Sequence, residues 1–233
     1  MHFATSLKHG TLIRRYKRFL ADVRLPGGKE ITVHCPNSGS MRSCSDPGSQ
    51  VCFSRSANPA RKYPHTLEMV HNGITWIGVN TARTNQIVAE AIEKGQIQEL
   101  TNFERIKREV KTSSDSRLDL LLEDGGQQTY IEVKNCSLAE NGRALFPDAV
   151  TKRGTKHLRE LERLVINGHK GVIFFLVQRL DCDCFTPAAA IDPVYAAALA
   201  EVHLTGVAIL AYQARVTPES IEIAGSLPVK LEK

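Results

Sequence analysis

Arg117-Leu118-Asp119-Leu120-Leu121-Leu122 and Ile131-Glu132-Val133-Lys134, separated by the turn Asp124-Gly125-Gly126, read as the two arms of a β-hairpin. Both arms are apolar runs interrupted by charge. Charge inside a buried-type strand needs a reason, because desolvating an unpaired ion is costly. Side chains alternate along a strand, so Glu132 and Lys134 share one face while Val133 takes the other. If the arms pair, Asp119 approaches that same face. Two carboxylates and a lysine then converge, which is the set that metal-assisted phosphodiester hydrolysis requires: hard oxygen ligands for Mg²⁺ or Mn²⁺ and a cation beside the attacking water. On this reading Asp119, Glu132 and the Val133 carbonyl hold the metal, and Lys134 serves the attacking hydroxide. The plain alternative is a hairpin whose charges face solvent.

The flanking sequence sets the hairpin in an α/β unit. Upstream, Ala82, Ile87, Val88, Ala91 and Ile92 share one face of a helix ending near Gly95, and residues 103–111 read as extended. Downstream, an amphipathic helix over 151–166 turns Leu158, Leu161, Leu164 and Val165 toward a core. The unbroken apolar run 171–177 marks a strand buried on both faces, and a helix near 193–203 and a strand near 207–212 follow. Arg153, Lys156, His157 and Glu160 recur at helical spacing opposite the leucines. They are either a solvated face or a second constellation beside the acids, with the cations on the reacting phosphate and His157 as a proton shuttle.

Residues 10–80 differ in character. Short extended runs at 11–16, 19–25, 30–34, 51–55, 66–70 and 74–79, broken by glycine turns, predict a small closed or half-closed β-barrel. Arg14-Arg15-Tyr16-Lys17-Arg18-Phe19 interleaves cations with aromatics as a nucleic-acid backbone binder does, and Arg61-Lys62-Tyr63 repeats the theme. A basic soluble edge is the alternative. The 37–41 loop, Asn37-Ser38-Gly39-Ser40-Met41, has the small polar residues of a backbone-contacting turn or of an ordinary tight connection.

With 42% hydrophobic and 24% charged residues, the 233-residue chain is of globular rather than disordered type, and its net charge of +5 mildly favours a polyanionic partner. Neither a secretory leader nor a membrane-spanning run is visible, so a cytoplasmic location without membrane contact is expected. Six cysteines without repeated CxxC spacing read as reduced thiols. A nucleotide- or sugar-binding module finds little support, since there is no GxxxxGK[ST] loop and Trp76 is the single tryptophan.

Longer motifs carry a resemblance. Ser116-Arg117-Leu118-Asp119, Ile131-Glu132-Val133-Lys134-Asn135 and Phe146-Pro147-Asp148-Ala149-Val150-Thr151, running into Arg153-Gly154-Thr155-Lys156-His157-Leu158, resemble the sugar fermentation stimulation protein family. His34-Cys35-Pro36-Asn37-Ser38-Gly39-Ser40-Met41 and Arg61-Lys62-Tyr63-Pro64-His65-Thr66 extend the likeness over nearly the whole chain. The resemblance implies an N-terminal OB-fold, residues 1–81, followed by a PD-(D/E)xK restriction-endonuclease-like αβ domain, residues 82–233. It also implies sequence-independent binding of DNA linked to regulation of sugar (maltose) metabolism; the sequence itself leaves single-stranded nucleic acid or RNA open as the alternative partner. Leu118 stands where the motif's name has proline. Glu109 fits the extra acid often found in this fold and joins Asp119, Glu132 and Val133 as an expected metal ligand; a solvated surface role is its alternative.

Overall fold

The architecture, described for residues 1–231 in a computed structural model, begins with a barrel of β1 (Lys8–Tyr16), β2 (Leu20–Arg24), β3 (Glu30–His34), β4 (Gln50–Arg55) and β5 (His65–His71). Alternation decides the inside of this unit: Leu12, Val23, Val33, Val51, Phe53 and Leu67 are all buried in one core. The sheet runs β3-β2-β1-β4-β5, and closes where β3 meets β5 in parallel at His34↔Thr66. The result is an OB-fold with a closed five-strand barrel, extended on β5 by β6 (Trp76–Gly78).

The mixed α/β unit follows, with α1 (Thr84–Glu93), β7 (Arg105–Lys111), β8 (Arg117–Asp124), β9 (Gln127–Cys136), β10 (Leu138–Glu140) and β11 (Arg143–Phe146). After these come α2 (Lys152–Ile166), β12 (Lys170–Val177), β13 (Cys184–Pro187), α3 (Pro193–Leu204), β14 (Ala208–Val216) and β15 (Ile221–Ser226). Six of the strands form one sheet in the order β15-β14-β12-β9-β8-β7, with β9, β12 and β14 parallel. Strand β12 is buried on both faces, as its unbroken apolar run predicts. Val172, Phe174 and Leu176 pack toward α1, whereas Ile173, Phe175 and Val177 join the core under α2 and α3. Helix α2 starts where the Thr151 side chain accepts from the Gly154 amide, and α3 where Asp192 accepts from Tyr195 ahead of Pro193.

Several elements lie outside the sequence reading. β10, β11 and β13 form a separate small sheet of three- and four-residue strands, too short to display an alternation. The start of the chain also departs from the division at residue 81, because Met1 and Leu7 are buried in the α1-side core of the second unit.

A polar seam joins the two units. Asn72 donates to Asp181 at 2.9 Å, and the buried Arg179 guanidinium reaches the Ser43 hydroxyl at 3.0 Å and the Ser137 carbonyl at 2.8 Å. The Gly78 amide donates to the Gln178 carbonyl at 2.9 Å, and a Cβ at position 78 would come within 2.2 Å of the Gln178 side chain. All six cysteines are free and buried, with burial pushing the thiols of Cys44 and Cys52 up to about 12. Among the described residues no helix is long and apolar enough to cross a membrane.

Phe175 is fully buried, stacked on Phe185 with ring centres 4.1 Å apart. Phe175→Ala is expected to lower stability by about 3–5 kcal/mol in denaturant unfolding, the usual cost of a core phenylalanine.

Candidate active site

Strands β8 and β9 pair from Asp124↔Gln127 to Leu120↔Ile131, and Asp119 lies one residue beyond the last ladder pair. There its side chain takes over the work of the ladder: Oδ2 accepts the Val133 amide at 2.8 Å. Oδ1 accepts from Asn85 Nδ2, on the first turn of α1, at 2.7 Å. Asp119 and Glu132 are therefore brought together where the strands part, not by a continuous pairing.

Glu132 is 2% exposed. Its Oε1 receives both Lys134 Nζ and His157 Nδ1 in short contacts, while Oε2 is buried without a hydrogen-bond partner. Arg153 Nε donates to His157 Nε2 at 3.4 Å, which leaves Nδ1 to carry the proton given to Glu132. The imidazole thus holds Glu132 Oε1 from α2. Burial, then the neighbouring Glu132 charge, push the Asp119 carboxyl up to about 6 against the Val133 amide, Asn85 and Lys134. Burial also opposes the Glu132 charge, but the His157 hydrogen bond and the Lys134 charge hold its carboxyl below the usual range.

These residues floor a cavity of about 460 Å³ walled by both units. From the barrel come Arg18 and the 37–39 loop, and from the α/β unit the 147–151 loop and Arg153. The two walls touch. Asp148 Oδ2 accepts from the Met41 amide at 3.2 Å and from the Ser40 hydroxyl at 3.4 Å, and a Cβ at Gly39 would come within 2.2 Å of that carboxylate.

Several expected residues are placed elsewhere. Glu109, with a left-handed φ of 55°, is exposed and lies 3.9 Å from Arg117, outside the cavity. The structure therefore does not bring it together with Asp119 and Glu132 on the cavity lining. Lys156 reaches the Asp115 carbonyl at 2.9 Å in a neighbouring groove, and Glu160 pairs with Arg163 at 2.8 Å. Arg15 spends its guanidinium on the carbonyls of Arg18, Asn37 and Gly39, each at 2.8 Å, so it builds the barrel wall instead of presenting a free cation. Arg14 is exposed but paired with Asp22 at 2.9 Å, and the Tyr16 hydroxyl donates to the same carboxylate. Lys17 and Arg18 stand exposed at the β1–β2 tip with left-handed φ of 48° and 62°. Arg61 contacts Thr66 and lines a separate cavity, and Lys62 lies over the Tyr63 ring.

Asn85 and Asp148 escaped the sequence reading as site residues. Asp148 sits within the Phe146-Pro147-Asp148 motif, the only signal available, and nothing local tells a wall carboxylate from a turn residue.

Comparison with known proteins bears on this geometry. The family model described as "SfsA N-terminal OB domain" matches residues 13–79, and that described as "Sugar fermentation stimulation protein RE domain" matches residues 82–220. The chain is 57% identical to the sugar fermentation stimulation protein homolog of Desulfotalea psychrophila over 96% of its length and 94% of that protein's. It is 52% identical to the homolog of Shewanella loihica over 99% of this chain and the whole of that one. The solved structure of Pyrococcus furiosus SfsA in complex with Ca²⁺ is similar with a TM-score of 0.89 at 27% identity, covering 99% of this chain and 98% of that one.

The carboxyl carbon of Asp119 is expected to titrate near 6 by NMR in metal-free protein, and lower in Glu132→Gln, which removes the neighbouring charge. Because the folded-state pKa is raised, the folded form holds this proton more tightly. Asp119's contribution to stability is therefore full below about 3.8 and falls as pH rises through 6, by on the order of 3 kcal/mol.

Proposed function

The chain belongs to the sugar fermentation stimulation protein family, and we propose that its cavity is a Mg²⁺- or Mn²⁺-dependent phosphodiesterase site acting on nucleic acid, in the manner of the PD-(D/E)xK nucleases. The observation that carries this reading is Glu132 Oε2, a carboxylate oxygen buried without a hydrogen-bond partner beside the poorly compensated carboxyl of Asp119. Buried polar atoms nearly always find partners, and a divalent cation meets the need of both acids at once.

Asp119, Glu132 Oε2 and the Val133 carbonyl are the groups to hold it. Two carboxylates and a carbonyl suit a hard cation that keeps several waters. The Pyrococcus relative is described with Ca²⁺, another oxygen-seeking ion. Bound there, such a cation would supply the charge that polarises a phosphate and acidifies a water. Lys134 Nζ, anchored on Glu132, orients that water and stabilises the charge that develops as it attacks. His157 holds Glu132 from its other side. Arg153 and Arg18, one from each unit on the cavity lining, grip phosphate oxygens, and Lys17 extends the grip along the barrel tip. Those same cations also suit a non-catalytic, sequence-independent DNA-binding regulator of sugar (maltose) metabolism, and one substitution separates the readings.

Lys134→Met keeps the bulk of the side chain and deletes its charge. It is expected to lose about 10²- to 10³-fold of Mg²⁺-dependent cleavage of labelled DNA or RNA while still binding metal and nucleic acid. Equal rates for wild type and variant would place the chemistry elsewhere. If pure wild type cuts nothing with Mg²⁺ or Mn²⁺, the regulator reading takes its place.

A further inference from the structure

A second cavity, also of about 460 Å³, adjoins the first, and Arg153 and His157 line both. Its other cations are Lys111, Arg117 and Lys156, all exposed, and Asp115 is the only acidic residue on its lining. Lys111 and Arg117 stand directly opposite each other on the antiparallel pair β7 and β8. Like charges at that separation repel, and Glu109, 3.9 Å from Arg117, offsets only one of the two. At the same place Ser116, 5% exposed, lines the cavity with its hydroxyl buried and unpartnered. A facing pair of cations and an orphaned donor beside them share one remedy, an anionic oxygen set between them.

We propose that this groove holds a backbone phosphate of single-stranded nucleic acid, a short distance along the strand from the phosphodiester over Asp119 and Glu132. The assignment of phosphate as the anion rests on the phosphodiesterase reading of the adjoining cavity. Strandedness follows from shape. The acids line a cavity shared with the 37–39 and 147–151 loops, which are joined to each other by the contacts of Asp148 with Ser40 and Met41. Duplex DNA is a stiff rod with a persistence length of about 150 base pairs, and it does not bend past these joined loops onto the acids and on into a neighbouring groove. A single strand does. On the far rim, Arg18 is followed by the exposed ring of Phe19, a surface on which an unpaired base stacks. The strand path therefore runs from the β1–β2 tip, over the acids, past Arg153, to Ser116, Lys111 and Arg117.

The test is equilibrium binding in EDTA, followed by fluorescence anisotropy over a range of salt, so that it needs no turnover. The probes are labelled oligothymidylate, labelled oligouridylate and a DNA duplex of equal length, with wild type and the double variant Lys111→Gln, Arg117→Gln. Wild type is expected to bind the strands more tightly than the duplex. The double variant's plot of log affinity against log salt is expected to be shallower by about 1.4, the effect of two lost phosphate contacts on a single strand. A response with only the DNA or only the RNA strand identifies the sugar and supports the groove. An unchanged slope, or a duplex bound as tightly as the strands, would overturn the proposal. If wild type cleaves nothing with Mg²⁺ yet the slope changes as stated, the phosphodiesterase reading fails and the groove stands as a binding site.

Discussion

The hydrogen bond from the Val133 amide to Asp119 Oδ2 is the constraint on which the site depends. An antiparallel ladder cannot open without leaving backbone groups unpaired, and an unpaired buried amide costs about as much as a lost hydrogen bond. Asp119 takes the amide at the point where β8 leaves β9. The strands can then part at no loss of backbone bonding there, and Glu132 gains a flank that no neighbouring strand fills. Asn85 closes the arrangement from α1, so three separate elements fix one carboxylate.

The remaining geometry is rigid for related reasons. Glu132 is held at one oxygen by two donors from two elements, Lys134 on its own strand and His157 on α2, which leaves its second oxygen in a defined direction. The wall contributed by the barrel is equally fixed. Arg15 gathers the carbonyls of the 37–40 loop, while Asp148 of the α/β unit accepts from the Met41 amide and the Ser40 hydroxyl in direct contact. The OB-fold therefore completes the site and is not a tethered appendage, and the polar seam at Arg179, Asp181 and Gln178 keeps it in register.

Much of this was legible in the sequence, in a specific way. The apolar run 171–177 and the charge-interrupted arms at 117–122 and 131–134 marked the central strands and the convergence of Asp119, Glu132 and Lys134, because alternation and burial leave their mark on each residue in turn. Partner choice leaves no such mark. Arg14, Arg15, Arg61 and Lys62 look alike as sequence, yet one is paired with a carboxylate, one is spent on backbone carbonyls, one contacts a threonine and one lies on a ring. Likewise Glu109 and Asp119 both interrupt extended segments with an acid, yet Glu109 stands exposed with a left-handed φ while Asp119 is held by Val133 and Asn85. Asp148 and Asn85 stayed hidden because their roles exist only across contacts between distant segments.

The central claim is that the parted strands at Asp119 and Glu132 make a divalent-cation site, and titration calorimetry of Mn²⁺ into wild type and Asp119→Ala tests it most directly. The account expects wild type to bind and the variant to lose that binding, while it keeps its folded far-ultraviolet circular dichroism. Equal binding by the two proteins, or no binding by wild type, would contradict it.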